Sequence, residues 1–301
     1  MKSDSLQVGN FTFQWGSRTY VMGILNVTPD SFSGDGLLPS PPAPLPEGEG
    51  SARALQQAKY FLDNGADILD IGGESTRPGS QPVNAEEEIA RVVPIIQAIH
   101  KNFPEAVISI DTSKADVAEA GFNAGAAILN DVWSLRADPQ LASVASAFGA
   151  PVILMHNRSN SASVEVRERL GNAYIGAEYQ NLIEDVKREL LASVEIAVKA
   201  GVEEKRLIVD PGVGFGKTRE QNLELINRLD EIRALGYPVL LGSSRKSFIG
   251  FTLDLPADQR VEGTAATVSI GIARGADIVR VHDVKEMARV AKMTDAIVRK
   301  G

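Results

Sequence analysis

Cysteine is absent from this 301-residue sequence. Its absence removes disulfides, thiol nucleophiles and Cys-ligated zinc, and it suits a reducing cytoplasm. Histidine occurs three times, and neither a His-Glu-x-x-His helix nor a zinc-deaminase signature is present. His100, late in a helical pattern, reads as a surface or last-turn residue. Excess positive charge is lacking too. A net charge of −8 argues against a nucleic-acid surface, while leaving room for a local basic pocket that takes a small anion. No apolar stretch reaches the ~18 residues of a membrane span. The start, MKSDSLQVGNF, has no apolar core behind a positive flank, so neither a signal peptide nor a membrane segment is expected. Two nucleotide loops are missing as well. Three residues separate Gly212 from Gly216-Lys217-Thr218, where a P-loop needs four, and the G-x-G-x-G spacing is not the G-x-G-x-x-G of a dinucleotide fingerprint.

What is present is a globular balance of 44% hydrophobic and 23% charged residues. The length admits two domains by rule of thumb, but also one α/β barrel spanning 1–301. The stretch RLIVDPGVGFGKT at 206–218 is the most informative. Leu207-Ile208-Val209 reads as a buried strand, Asp210 stands at its end, and Pro211 prevents the ladder from continuing. Glycines at 212, 214 and 216 and a helical pattern follow, the parts of a ligand-binding α/β unit. Taken alone, Asp210 reads more readily as a turn or cap carboxylate than as a functional one.

The same unit recurs along the chain. Phe11, Phe13 and Trp15, a turn at Gly16-Ser17 and the apolar Tyr20 to Leu25 predict a hairpin feeding a first strand that ends at Asn26. Residues 37–50, LLPSPPAPLPEGEG, hold too many prolines for helix or sheet. They read as a solvated loop insertion, although such a stretch also suits a proline-recognising partner. Ser51 is placed as a helix cap, and further strands are tipped by Glu74-Ser75-Thr76-Arg77, Asp111, Asn130-Asp131, His156-Asn157, Asp210, Ser244-Arg245-Lys246 and, on the last strand, Arg280 with His282-Asp283. Helices are predicted between them, one from Asp138 to Phe148 and a long one from about Ala173 to Ala200. Eight strand-helix units predict a parallel sheet, and that number favours a closed (β/α)8 TIM barrel with a short N-terminal β-hairpin. An open doubly wound sheet is the alternative, but it does not gather all eight strand ends at one place.

Any one tip can be a cap: Asp111-Thr112-Ser113 and Asn130-Asp131 both fit helix starts. Eight polar tips at the same end of eight strands point instead to a site. Asp111, Asn130, Asp210 and Lys246 combine donors and acceptors suited to the edge of a nitrogen-rich heterocycle. Arg280, His282, Thr76 and Asn26 suit phosphate oxygens, with Asn26 able to give a carbonyl oxygen to Mg²⁺.

The segments MGILNVTPDSFS at 22–33, DIGGESTRPG at 70–79, SIDT at 109–112, NDV at 130–132, LMHN at 154–157, DPGVGFGK at 210–217, SSRKSFIG at 243–250 and RVHDV at 280–284 together resemble the dihydropteroate synthase family. The resemblance implies a cytoplasmic barrel, a homodimer, that joins a 6-hydroxymethyl-7,8-dihydropterin diphosphate to p-aminobenzoate with Mg²⁺ as cofactor. It implies pterin contacts from Asp111, Asn130, Met155, Asp210, Phe215 and Lys246; diphosphate contacts from Thr76, Arg280, Val281 and His282; and p-aminobenzoate contacts from Phe32, Thr76, Arg77, Pro78 and Ser244. Asn26 is the implied metal ligand, and Asn26, Asp111, Asp210, Lys246 and Arg280 the implied catalytic set. Where that family commonly has Ser-Phe-Ser-Asp-Gly-Gly, this sequence has Ser31-Phe32-Ser33-Gly34-Asp35-Gly36, which moves the acid by one position in a loop expected to act as a lid. A pterin-dependent methyltransferase, which shares the barrel, and a non-catalytic pterin-binding barrel are the alternatives.

Overall fold

Alternation within the strands dictates the architecture. In Ile68-Leu69-Asp70-Ile71, Leu69 and Ile71 join the large outer core with the helices, whereas Ile68 belongs to a separate inner cluster. Side chains two apart share a face, so each strand offers one apolar face to helices and a second to the barrel interior. The computed structural model describes residues 4–27, 49–76, 79–160, 164–165 and 169–299. Phe32, Asp35, Arg77, Pro78 and the proline-rich run up to residue 48 lie outside the described residues.

An antiparallel hairpin, β1 (Ser5–Val8) and β2 (Phe11–Gln14), comes first, followed by β3 (Tyr20–Asn26), α1 (Glu49–Asp63), β4 (Ile68–Gly72), α2 (Ala85–Asn102), β5 (Val107–Asp111), α3 (Ala115–Ala124), β6 (Ile128–Asp131), α4 (Leu141–Ala147) and β7 (Val152–Met155). A small excursion then pairs β8 (Val164–Glu165) with β9 (Ala173–Tyr174) before α5 (Leu182–Lys199). The chain finishes with β10 (Leu207–Asp210), α6 (Arg219–Asn227), α7 (Leu229–Arg233), β11 (Leu240–Leu241), α8 (Ser247–Leu253), α9 (Val261–Ala273), β12 (Ile278–Val281) and α10 (Val284–Val298). Eight parallel strands run in the order β10-β7-β6-β5-β4-β3-β12-β11. A parallel bridge from Val209 to Val239 and a hydrogen bond from Val209 N to Pro238 O (2.9 Å) join the two ends. The sheet is therefore a closed (β/α)8 TIM barrel, not the open doubly wound alternative.

The hairpin exists, but its turn is Gly9-Asn10, where Gly9 has φ +55°, and not Gly16-Ser17. Tyr20–Asn26 is, as expected, the first barrel strand, and lies between β4 and β12. Leu6 and Val8 of β1, with Phe13 and Trp15, stop the amino-terminal end of the barrel, packing on Tyr20, Met22, Ile128 and Ile208. The helix expected over Ala173–Ala200 begins only at Leu182, with the Asn181 side chain accepting from Glu184 N. Gly176 explains the delay: a Cβ there would meet Thr218 Cγ2 at 2.6 Å, so this stretch lies against the glycine loop and not on a helix. Asp138 does not start α4; its carboxylate accepts from Ala115 N at 2.8 Å and so caps α3. Ser51 lies inside α1, whose first residue is Glu49.

Candidate active site

At the carboxyl end of the strands the inward face changes character. Ile68 is followed inward by Asp70, Val107 by Ser109 and Asp111, Ile128 by Asn130, Ile153 by Met155, Ile208 by Asp210 and Ile278 by Arg280. The parallel register sets Asn26, Gly72, Asp111 and Asn130 side by side on four successive strands. An apolar plug thus passes into a polar layer within one residue pair on β4, β5, β6, β10 and β12, with Met155 of β7 left as an apolar wall.

Charge in that layer is organised by Arg280. Its Nε donates to Asp70 Oδ2 at 2.5 Å and its second terminal nitrogen to Asp111 Oδ2 at 2.6 Å, while Asn130 Nδ2 donates to the same Asp70 oxygen at 3.1 Å. The cap reading of Asp111 therefore fails. Asp131, of opposite strand parity, takes a cap's work, accepting from Trp133 N and Leu135 N. Burial pushes the Asp111 carboxyl up, Arg280 pulls it back, and the neighbouring Asp70 adds to the rise; the result is about 8. Desolvation opposes the Arg280 charge, but the two aspartates outweigh it and raise its pKa further.

Across the mouth, Asp210 Oδ1 accepts from Gly212 N at 2.7 Å. Burial raises the Asp210 pKa and Lys246 counters it. Lys246 Nζ donates to Val213 O and lies 4.5 Å from the centre of the Phe215 ring. Burial pulls its pKa down to about 8 despite Asp210. The intervening loop is shaped by Lys217, whose buried Nζ donates to Gly212 O (2.8 Å) and Phe215 O (3.1 Å) and meets His156 Nδ1 at 3.0 Å. Gly212, Gly214 and Gly216 have φ of 70°, 87° and 65°, and a Cβ on Gly212 would lie 1.7 Å from His156 O. Only glycine fits there. Burial holds His156 down to about 4, so the network assigns it as a neutral ring that accepts from Lys217 and donates through Nε2 to Glu189 Oε2 at 3.0 Å.

A cavity of about 270 Å³ opens beside this layer, bounded by Glu74, Thr76, Asp111, Trp133, Tyr174 and Phe215. Phe215 packs with Val132 and Met155, and the Tyr174 hydroxyl donates to Thr76 O at 3.1 Å. Lys114 bridges Glu74 and the buried Glu88, tying the loop after β4 to α2. On the β12 side, Ser244 Oγ accepts from His282 N (3.2 Å) and meets His282 Nδ1 at 3.0 Å. Asn130, Met155, Asp111, Asp210, Phe215, Lys246 and Arg280 thus converge, with Thr76 at the cavity wall and Ser244 and His282 paired beside the mouth. Val281 is the exception: its side chain belongs to the outer core, leaving only its backbone at the tip. Asp70, Lys114 and Lys217 are not singled out by the sequence pattern. Asp70 carries a signal, since it shares the inward parity of Ile68; Lys114 acts through partners distant in sequence and carries none.

The chain matches the family model described as pterin binding enzyme over residues 22–282. Dihydropteroate synthases from Clostridium beijerinckii and Bacillus subtilis are each 50% identical to it, over 98% and 94% of this chain and 100% and 90% of theirs. Among solved structures, a dihydropteroate synthase from Clostridium difficile in the presence of pteroic acid superposes with a TM-score of 0.84 at 46% identity, covering 96% of this chain and 100% of that one. The Xanthomonas albilineans dihydropteroate synthase with 4-aminobenzoic acid gives 0.84 at 35% identity, covering 98% of each chain. With near-complete coverage, and with the polar layer formed by the same motifs that carry the resemblance, the chain belongs to the dihydropteroate synthase family of pterin-binding enzymes.

Proposed function

We propose that the chain transfers the pterinylmethyl group of 6-hydroxymethyl-7,8-dihydropterin diphosphate to p-aminobenzoate, forming 7,8-dihydropteroate and diphosphate, with the roles below. The observation that carries this is the ring of Asp111, Asn130, Asp210 and Lys246 facing one mouth beside Arg280. A pterin presents amino and ring N–H donors on one edge, for which buried carboxylates and the Asn130 amide oxygen are the matching acceptors. Lys246 donates to its ring acceptors, and Met155 and Phe215 flank its faces. Arg280 spends Nε and one terminal nitrogen on aspartates, so its third nitrogen remains for phosphate oxygens, joined by Thr76, His282 and the backbone of Val281. Ser244 and Thr76 bound the p-aminobenzoate; Phe32, Arg77 and Pro78, outside the described residues, are assigned to it on the family resemblance alone.

Asn26 is half-buried at its strand tip, and no cluster of three or more acidic or histidine side chains among the described residues would cage a metal. One amide oxygen fits Mg²⁺ that is carried by the diphosphate and keeps water in its other positions. Bound there, the ion would neutralise charge on the departing group. The bond from the methylene carbon to the diphosphate oxygen breaks, with the electron pair leaving on diphosphate beside Arg280. The Asp210 carboxylate, and Asp111 in the fraction that Arg280 keeps ionised, stabilise the cation left on the conjugated methylene. The neutral arylamine adds its lone pair to that carbon and loses a proton to water, so positioning matters more than a strong base.

Cytoplasmic residence and a homodimer complete the reading; exposed Ile270 on α9 and Met293 and Ile297 on α10 support the latter, and sedimentation velocity tests it. The activity is tested by diphosphate release with pterin diphosphate, p-aminobenzoate and Mg²⁺ omitted in turn. Release that needs all three and yields dihydropteroate is expected; release without the arylamine would mean hydrolysis instead.

A further inference from the structure

Arg245 holds a left-handed backbone, φ +55°, which is strained for a residue that bears a side chain and persists only where its surroundings impose it. It stands between two residues of the site. Ser244 on one side bonds His282, and Lys246 on the other reaches Val213 O over the Phe215 ring. The backbone direction at Arg245 therefore sets where both neighbours point.

Beside the local turn bond from Lys246 N to Ser243 O, groups from elsewhere in the chain hold this conformation. Arg245 N donates to Thr264 Oγ1 at 3.1 Å, its carbonyl accepts from Arg260 at 2.8 Å, and its guanidinium pairs with Asp283. Arg260 and Thr264 are the residue before α9 and the fourth residue of that helix. Arg260 is 2% exposed, yet its guanidinium donates to carbonyl oxygens: once to Arg245, twice to Leu255 (3.0 Å each) and once to Leu170 (2.7 Å). Leu170 precedes β9, whose Tyr174 lines the cavity and reaches Thr76. Gly250 of α8 leaves the room that this guanidinium fills, since a Cβ there would come within 2.1 Å of it. A buried charge that satisfies neutral carbonyls is a poor source of stability. Its planar fork is, however, well suited to fixing three backbone segments at once.

We propose that Arg260, with Thr264, is a positioning residue pair that locks Arg245 in its left-handed turn and so seats Lys246, with Arg260 also tying the Tyr174 segment to that turn. This deepens the reading of the site given above and rests on it. Neither residue touches the polar layer; Thr264 acts through the backbone of residue 245, and Arg260 through that of residues 245 and 170.

The test compares wild type, Arg260→Met and Thr264→Val at a temperature well below their melting points. It measures kcat, the KM for each substrate and the pH profile of kcat/KM for the pterin diphosphate. Lys246 is faced by Asp210, Asp111, Arg280 and Lys217, and its buried seat holds its pKa down. Loosening that seat hydrates the ammonium, so the alkaline limb should move up by about one pH unit. The KM for pterin diphosphate should rise roughly tenfold in Arg260→Met and threefold in Thr264→Val, as expected when the Lys246 ammonium is displaced from the ring acceptors it serves. Fewer folded molecules would lower the apparent kcat but leave KM and the limb in place. If Arg260→Met fails to fold, Thr264→Val, nearly isosteric, decides alone. Unmoved KM and limb in the folded variants would overturn the inference; a wild type that makes no dihydropteroate would overturn the reading of the site instead.

Discussion

Replacing Arg280 by Met tests whether the same guanidinium serves both the fold and the ligand. In the folded protein it lies 2.5 Å from Asp70 and 2.6 Å from Asp111, with Asp70 1% exposed. Removing it keeps the side-chain volume but leaves two buried carboxylates facing each other. Breaking one partner out of a buried ion pair costs about 3–5 kcal/mol, so at pH 8 the variant should lose stability of that order, beyond any loss of diphosphate affinity. The sign of the pH dependence follows from the carboxyls. Asp111 already has a raised pKa, to about 8, in the folded wild type. A raised carboxyl means that folding takes up a proton: its stability is fully present below the unfolded pKa and is lost as pH rises through the folded one. Without Arg280 the pair binds one further proton on folding. The stability gap between wild type and variant should then narrow as pH falls from 8 towards 5.5, by at most about 1.4 kcal/mol per pH unit for one proton. Urea unfolding followed by circular dichroism at pH 5.5, 7 and 8 measures the gap. A gap that stays constant, or widens on acidification, would refute the account of Arg280 as counter-ion to the Asp70–Asp111 pair.

Lys246 should impose an alkaline limb near pH 8 on kcat/KM for the pterin diphosphate, because burial lowers its pKa to about 8 and the neutral amine loses its attraction to Asp210; Lys246→Arg should remove that limb between pH 7 and 10, and a persistent limb would assign it to another group. Lys217→Met leaves Gly212 O, Phe215 O and His156 without their donor. With unsatisfied acceptors at about 1–3 kcal/mol each, partly offset by the removed desolvation of the ammonium, it should destabilise by a few kcal/mol and raise the pterin KM. Equal stability and KM in steady-state and denaturation assays would contradict the clamp. Phe13→Ala, in the plug where Phe13 stacks on Trp15 at 5.4 Å, should cost about 3–5 kcal/mol in unfolding free energy while leaving both KM values within about twofold, because the plug lies at the end of the barrel away from the site.

The difference between what is readable in the chain and what is not is a difference in range. Strand tips are readable because a strand that changes from Ile to Asp, Asn or Arg at the same parity records both its direction and its inward face within three residues, as Ile208 and Asp210 or Ile278 and Arg280 do. Barrel closure follows from the count of eight strand-helix units, five of which carry that change two residues on. The hairpin is only half readable: Phe11, Phe13 and Trp15 announce a strand, but its partner Ser5–Val8 carries just two inward apolar residues, so local pattern favours the wrong turn. The false helix over Ala173–Tyr179 arises because a local pattern has no knowledge of Thr218, against which Gly176 must pass.

In the site, the polar residues that line the mouth are visible in the sequence, whereas those that hold its loops are not, and the reason is physical. A ligand-facing group must stand at the end of its own strand, so its position is local information. A group that fixes a loop needs only to reach a backbone atom, and it can be sent from anywhere the fold brings near. Lys114 reaches Glu74 from 40 residues away, Arg260 reaches the carbonyl of Leu170 from 90, and Asp70 meets Arg280 across 210. Of these, Asp70 alone could have been found beforehand, by extending the inward parity one step below the strand tip. That step is a general one: in a closed barrel, the residue two before an inward polar tip is still inward, and if it carries charge it must be the counter-ion of a tip on another strand, because no solvent reaches it there.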